Sequence, residues 1–443
     1  MIHQPKPKSS GRRWLDRTLG MARFRPRTFL GALAWPLLFP AAWLWRRTGL
    51  RGTRLIAVTG SLGKTSTTTA VAAVLGATAN SDARNFGSFL ALALLTHGFR
   101  GPRRRPLVVE VGISRRGQME RYARLLRPDV VLLTAVTDDH GRALGGIEGV
   151  AAEKARLAHA LRPGGLLVVN GDDPRCRTIA AGARARTLKV GFAADCDGRI
   201  ESVRVDFPRG TELRLAGPGA PDDVWELASP WIGEELARAT ALAAALGADS
   251  GLGYDRVRDG LAVLRPIPER LEAVPLPSGA WLLCDSWRST PETIESALAE
   301  LGRLTGWRRI AVLGNLDELA EGTQTAAYLD YARRAATVAE RILYLGNGFE
   351  KFSRGTRQSG LAQGRVQSCR DVYQAAAELA PELAPGTVIL IKGSHRQKLG
   401  RLRLLLAGVA VRCDLRTCPR TGLSCRLCPN LEKVSEASEG ESA

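Results

Sequence analysis

Leu55-Ile56-Ala57-Val58-Thr59-Gly60-Ser61-Leu62-Gly63-Lys64-Thr65-Ser66 is the stretch on which the fold turns. Leu55 to Thr59 read as a short buried strand, Gly60 to Ser66 as a loop, and the Ala/Val/Thr-rich run Thr67 to Leu75 as a helix. Strand, glycine loop and helix in that order turn backbone N–H groups and a helix N-terminus toward a phosphate chain. Gly60 and Gly63 let the backbone approach the oxygens, with Ser61 and Ser66 in the same cradle. Lys64 is placed to neutralise the β and γ phosphates, and the Thr65 hydroxyl to hold Mg²⁺. The spacing is the short form G-x-x-G-K-[ST], because Val58 stands where the longer pattern has its first glycine.

The lysine is informative for a second reason. Of the 63 basic residues only nine are lysines, so each marks a place where arginine would not serve. Lys64, Lys154 and Lys392 are the three that fall inside motifs.

The chain around this loop has 443 residues, enough for two or three domains of about 100 to 200 residues each. With 45% hydrophobic and 24% charged residues it has the balance of a folded globular protein, which excludes a disordered or collagen-like chain. The net charge is +19, but Met1 to Arg54 hold twelve basic residues against the single acid Asp16. The body is therefore only mildly basic, which argues against a nucleic-acid groove, where basic and aromatic side chains would interleave along one face. No nucleic-acid partner is expected.

Within that basic segment, Phe29 to Trp45 carry no charge. Seventeen residues as a helix reach roughly 25 Å, short of a hydrocarbon core of about 30 Å, and Pro36 and Pro40 are expected to break or kink the helix. Two readings stay open. One is a monotopic or re-entrant anchor on an anionic inner leaflet with Trp35, Trp43 and Trp45 at the interface; the other is a hydrophobic arm packed on the first domain. Eight cysteines, too sparse for a secreted disulfide scaffold, indicate a reducing cytosol. Cys176, Cys196, Cys284 and Cys369 are scattered. Cys413, Cys418, Cys425 and Cys428 form C-x4-C-x6-C-x2-C, a candidate zinc knot against a reading as free thiols.

Further blocks follow the loop in order. They are Asn85-Phe86-Gly87-Ser88, Val108-Val109-Glu110-Val111-Gly112, Leu132-Leu133-Thr134-Ala135-Val136-Thr137-Asp138-Asp139-His140 and Gly146-Ile147-Glu148-Gly149-Val150-Ala151-Ala152-Glu153-Lys154. After them come Asn170-Gly171-Asp172-Asp173-Pro174, Pro268-Glu269-Arg270-Leu271-Glu272, Asp285-Ser286-Trp287-Arg288-Ser289-Thr290-Pro291, Leu313-Gly314-Asn315-Leu316-Asp317 and Ile391-Lys392-Gly393-Ser394. Read on their own chemistry, Glu110 and His140 each follow an apolar run. Both would thus project from the C-terminal edge of a parallel sheet, where open α/β folds bind ligands, beside Thr65. A carboxylate and an imidazole there could hold Mg²⁺.

The ordered set resembles the Mur ligase family from Val58 to about Ser394. What the resemblance implies is an α/β chain. A central parallel-sheet ATPase domain with the phosphate loop spans 55–266 and a smaller Rossmann-like domain 267–409. Residues 1–54 precede them, and a cysteine-containing tail, 410–443, follows. The resemblance further implies an ATP-dependent amide-bond ligase working through an acyl phosphate. Glu110 and His140 become metal ligands, and Asn85, Asn170, Arg270 and Asp285 nucleotide contacts. Lys154 becomes a carbamylated lysine and Lys392 a group that orients the acceptor or its carboxylate. A carbamate needs a lysine that can shed its proton, which arginine cannot do.

The chain departs from the family pattern in several places. Only about 50 residues precede the loop, too few for the uridine-nucleotide-sugar domain, so the donor is expected to be another small-molecule or lipid-linked carboxylate. P-G-R-x-E reads Pro268-Glu269-Arg270-Leu271-Glu272, and D-S-Y-N-A-N-P reads with Trp287, Arg288 and Thr290. Asn315 replaces an aspartate, and G-x-H-N is reduced to Gly233-Glu234-Glu235. The alternatives are a poly-γ-glutamate-synthase-like or amidotransferase-partnered subunit, or a nucleotide-binding protein without ligase activity. The expected place is the cytoplasm, free or at the inner face of the membrane.

Overall fold

The computed structural model describes residues 26–80, 87–97, 104–138, 141–217, 219, 223–317, 319, 322–415, 417–418 and 424–432. The strands are β1 Leu55–Thr59, β2 Thr78–Asn80, β3 Leu107–Glu110, β4 Val130–Leu133, β5 Leu166–Asn170, β6 Arg186–Gly191, β7 Gly198–Asp206, β8 Gly210–Ala216 and β9 Val224–Ser229, then β10 Glu272–Pro275, β11 Trp281–Asp285, β12 Arg308–Leu313, β13 Arg341–Leu345, β14 Val366–Cys369 and β15 Thr387–Lys392. The first nine form one sheet in the order β2-β3-β1-β4-β5-β6-β7-β8-β9, and the last six a second sheet in the order β10-β11-β15-β12-β13-β14.

The first sheet is parallel from β2 to β7 and becomes antiparallel through β8 and β9. The patterning explains the change. Strands β1, β3, β4 and β5 are buried at every residue, as strands covered on both faces must be, whereas β9 alternates exposed and buried with one face in water. In the second sheet only β10 runs antiparallel, at the edge.

Helix Lys64–Leu75 and the alanine-rich helix Glu234–Asp249 pack on one face of the first sheet, with Val71, Val74, Ala241 and Leu242 in the shared core. The same core continues through Trp231 and Leu271 into Ile294 and Leu298 of the second domain. Phe207 meets Trp307 edge-on at 5.2 Å, adding an aromatic contact at the domain junction.

The hydrophobic stretch near the N-terminus is one helix, Pro26–Arg47, that runs through both Pro36 and Pro40. The expected break is absent because the helix is held from the side. Trp35 packs edge-on against Tyr122 at 6.2 Å, Ala42 is buried, and the helix lies along helices Gly87–Thr96 and Gln118–Leu126. Arg46 is buried with it, donating to Leu126 O at 2.9 Å, to Leu50 O at 2.8 Å and to Asp129 Oδ2 at 3.0 Å. Among the described residues no helix is long and apolar enough to cross a membrane.

Candidate active site

The phosphate loop leaves β1 at Gly60, whose φ of 151° lies at the edge of the region that favours glycine. A Cβ there would stand 1.9 Å from Thr134 Oγ1, so the position admits only glycine. Gly63, at φ 74°, precedes the first turn of helix Lys64–Leu75. The helix thus begins three residues earlier than its apolar run suggests, because left-handed Gly63 turns the chain straight into it. The loop is fixed from the β4 side. Ser61 N–H donates to Ala135 O at 2.7 Å, and Ser61 Oγ accepts from Thr137 N–H at 3.0 Å. Thr134, in the run that leads to His140, donates to Leu62 O.

Lys64 Nζ donates to Gly60 O at 2.8 Å and Ser61 O at 3.0 Å, curling its ammonium over the loop. Thr65 Oγ1 donates to Glu110 Oε2 at 2.9 Å. Parallel pairing of β1 with β3 sets Val58 opposite Glu110, which is why a carboxylate 45 residues away arrives beside the loop. Arg270 enters from the other side, and its Nη2 donates to the same Thr65 Oγ1 at 3.3 Å. Burial pulls the Arg270 guanidinium below its ordinary value, while the nearby Glu110 and Asp285 carboxylates act the other way.

On the second sheet, Asp285 ends β11 and Lys392 ends β15 in direct register, and Lys392 Nζ lies 2.6 Å from Asp285 Oδ2. Burial lowers the Lys392 ammonium and Asp285 opposes it. Trp287 stacks on His395 with ring centroids 6.4 Å apart, and the Arg270 guanidinium lies 5.8 Å from the Trp287 ring. Ser61, Gly63, Lys64, Thr65, Ser66, Glu110, Arg270, Asp285 and Lys392 all line one cavity between the two domains, together with Glu235, Trp287, Arg288, Thr293 and Ser296. Thr293 and Ser296 lie on helix Pro291–Arg303 and carry no motif signal; only the approach of that helix to the loop brings them in.

Other expected site residues lie elsewhere. Asn170 is buried at the end of β5, off the cavity, where its Oδ1 accepts from Asp172 N–H at 3.0 Å. Its turn serves as a joint, since Asp173 caps helix Pro174–Ala181 and accepts from Val136 N–H at 2.7 Å. Lys154 is buried on helix Gly146–His159, close enough to Cys176 for its charge to act on that thiol, and does not line the cavity. Beside it, Glu153 accepts from Gly117 N–H and Met119 N–H at the start of helix Gln118–Leu126. His140 and Asn85 lie outside the described residues.

Gly233-Glu234-Glu235 forms a contact between domains. Glu300, buried on helix Pro291–Arg303, accepts from Glu234 N–H through Oε1 at 2.9 Å and pairs with Arg303 at 2.6 Å, and Arg303 reaches Glu234 at 2.5 Å. Glu300 Oε2 has no hydrogen-bond partner among the described residues. Burial raises the Glu300 carboxyl, outweighing the Glu234 N–H and Arg303.

The reading of the tail cysteines as a zinc knot finds no support. Among the described residues no three His, Cys, Asp or Glu side chains gather to hold a metal ion, and Cys413, Cys418, Cys425 and Cys428 are free thiols. Cys425 turns into an apolar cluster with Leu404 and Val411, while the main chain of Cys413 and Cys418 is tied to the domain by Arg401 and Arg396.

Two family models match this arrangement, the Mur ligase middle domain over residues 58–247 and the Mur ligase glutamate ligase domain over 269–395. The chain belongs to the Mur ligase family. The matches cover the two sheets in turn, with the cavity between them. The UDP-N-acetylmuramoyl-tripeptide–D-alanyl-D-alanine ligase of Bacillus subtilis is 27% identical over 359 residues, 79% of this chain and 74% of that protein. Among solved structures, the MurF ligase of Thermotoga maritima in complex with ADP superimposes with TM-score 0.71 at 20% identity, over 84% of this chain and 83% of that one. Folylpolyglutamate synthase of Mycobacterium tuberculosis with ADP gives TM-score 0.62 at 18% identity, over 89% and 97%. This Mur ligase is an ATP-dependent enzyme that forms amide bonds.

Proposed function

We propose that the cavity between the domains is where the enzyme phosphorylates a carboxylate donor and joins it to an amine. A carboxylate oxygen attacks the γ-phosphorus of ATP and ADP leaves; the amine nitrogen then attacks the acyl-phosphate carbon, inorganic phosphate leaves and the nitrogen loses a proton. The observation that carries this reading is the meeting of Lys64, Thr65 and Glu110 of the first domain with Arg270 of the second, at 3.3 Å between Arg270 and Thr65. Phosphoryl transfer asks the protein chiefly for position and charge neutralisation, which the Lys64 ammonium and the Arg270 guanidinium supply from opposite sides.

A hydroxyl and a carboxylate 2.9 Å apart are hard oxygen donors of the kind Mg²⁺ takes when phosphate oxygens complete its shell. Thr65 and Glu110 are accordingly the residues to hold it, with His140 as a further ligand, and bound Mg²⁺ supplies phosphate charge neutralisation. Asn85 is assigned to the nucleotide and Lys154 to the carbamate. Lys392 acts through Asp285, whose carboxylate it holds. The test is phosphate release from ATP across a panel of carboxylate donors and amine acceptors. Release should require both partners and vanish in Lys64→Ala; release with neither partner, or unaffected by Lys64→Ala, would overturn the reading.

We further infer that helix Pro26–Arg47 seats the enzyme on an anionic lipid surface, within reach of a lipid-linked donor. In support, Pro36, Leu37, Pro40, Ala41 and Leu44 leave an apolar stripe in water, with Leu37 79% exposed, and Leu92 on the adjoining helix Gly87–Thr96 is exposed as well. Arg47 covers Trp43 at 3.9 Å, and the surrounding segment is strongly basic. Flotation with phosphatidylglycerol vesicles, weaker with phosphatidylcholine and lost in Leu37→Glu/Leu44→Glu, is the expected result; equal behaviour of the double variant would reject it.

A further inference from the structure

Glu269 stands at the glycine of the pattern P-G-R-x-E, and its φ is 61°; Leu271 has φ 46°. Left-handed backbone therefore flanks Arg270 on both sides, at residues that lack glycine's freedom. Such a conformation persists in a non-glycine residue only when the surroundings over-determine it. Here they do. Glu272 Oε2 accepts from Glu269 N–H at 3.1 Å and from Arg403 Nη1 at 2.5 Å, and Glu269 Oε1 accepts from Ser424 Oγ at 3.0 Å. Ser424 lies 155 residues further on, in the C-terminal tail. That tail is bound to the second domain. Arg401 donates to Cys413 O at 2.7 Å and Leu415 O at 2.6 Å, Cys418 N–H donates to Arg396 O at 2.8 Å, and Cys425 is buried against Leu404 and Val411.

We propose that the tail is a working part of the nucleotide site: Ser424, through Glu269, holds the left-handed turn that aims Arg270 at Thr65. This rests on the cavity being the nucleotide site. Ser424 is a positioning residue, and Glu269 has exchanged the conformational freedom of glycine for a side-chain anchor. The cysteines around Ser424 report whether the tail is seated, because Cys425 is shielded only while it is.

The experiment uses the full chain and magnesium with a non-hydrolysable ATP analogue, read by calorimetry, alongside mass-spectrometric mapping of Cys425 alkylation. Ser424→Ala should raise Kd about three- to tenfold, the worth of one hydrogen bond, and speed Cys425 alkylation, while Ser424→Thr restores both. Glu269→Gly should match Ser424→Ala in both readouts without a lower Tm, since it relieves the backbone while removing the anchor. Unchanged Kd or unchanged alkylation in Ser424→Ala overturns the proposal. Arg270→Ala separates the two readings: weakened binding there with unchanged binding in Ser424→Ala sinks only the role of the tail, whereas unchanged binding in Arg270→Ala sinks the nucleotide-site assignment as well.

Discussion

Lys392 and Asp285 face each other at the ends of adjacent parallel strands, 2.6 Å apart, with the lysine side chain 1% exposed and the aspartate 16%. A charge pair this deep is retained for geometry, because burying both ions costs nearly as much as their attraction returns. Lys392→Met leaves Asp285 without its partner and should lower stability by about 3 kcal/mol. Adding Asp285→Leu should recover most of that loss while ligation stays absent. Urea midpoints beside phosphate-release rates would show the two effects parting; recovery of activity in the double variant would contradict a role for the pair in the site.

Glu110→Gln keeps the shape of the side chain and removes its charge, so Thr65 loses an ionised acceptor at 2.9 Å. The expected outcome is a fall in kcat of about a hundredfold or more, with folding intact by circular dichroism.

Gly60→Ala places a methyl group 1.9 Å from Thr134 Oγ1 in the loop wall. Affinity for magnesium ADP should fall, and Gly60→Ala/Thr134→Ala should regain part of it by clearing the obstruction. Calorimetry on both variants tests the point.

Glu300 sits between the domains with a carboxyl raised above its ordinary 4.5 by burial. A raised acid binds more protons folded than unfolded, so its contribution is most favourable at low pH and declines as pH rises through the window above 4.5. Glu300→Gln should remove that decline. The stability of wild type relative to the variant should therefore fall between about pH 4 and pH 7 in denaturant titrations, and a difference constant across that range would refute it.

Arg46 donates to four backbone carbonyls and to Asp129 from a buried position on helix Pro26–Arg47. Arg46→Ala should destabilise the first domain by about 2 kcal/mol, because the buried carbonyls it serves lose their donor. Proteolysis near residue 50 should accelerate with it.

The glycine loop between β1 and its helix, the buried parallel strands and the carboxylate at the end of β3 were legible in the sequence, because glycine placement and apolar runs act over a few residues. Helix Pro26–Arg47 was half legible. Its apolar content is plain in the letters, but which face meets helices Gly87–Thr96 and Gln118–Leu126 is not, nor that side contacts carry it through two prolines. The spacing of the four tail cysteines resembles a metal knot, yet among the described residues no three potential ligands gather there.

Residue identity and near-neighbour order determined by themselves that this chain would build a strand, glycine loop and helix on a parallel sheet and follow it with a second α/β unit. Only the tertiary structure decided that Arg270 meets Thr65 across 205 residues, that Lys392 is spent on Asp285, and that Ser424 reaches Glu269. Strand order and domain packing set those encounters. They arise from burial summed over whole faces, which no local pattern of residues encodes.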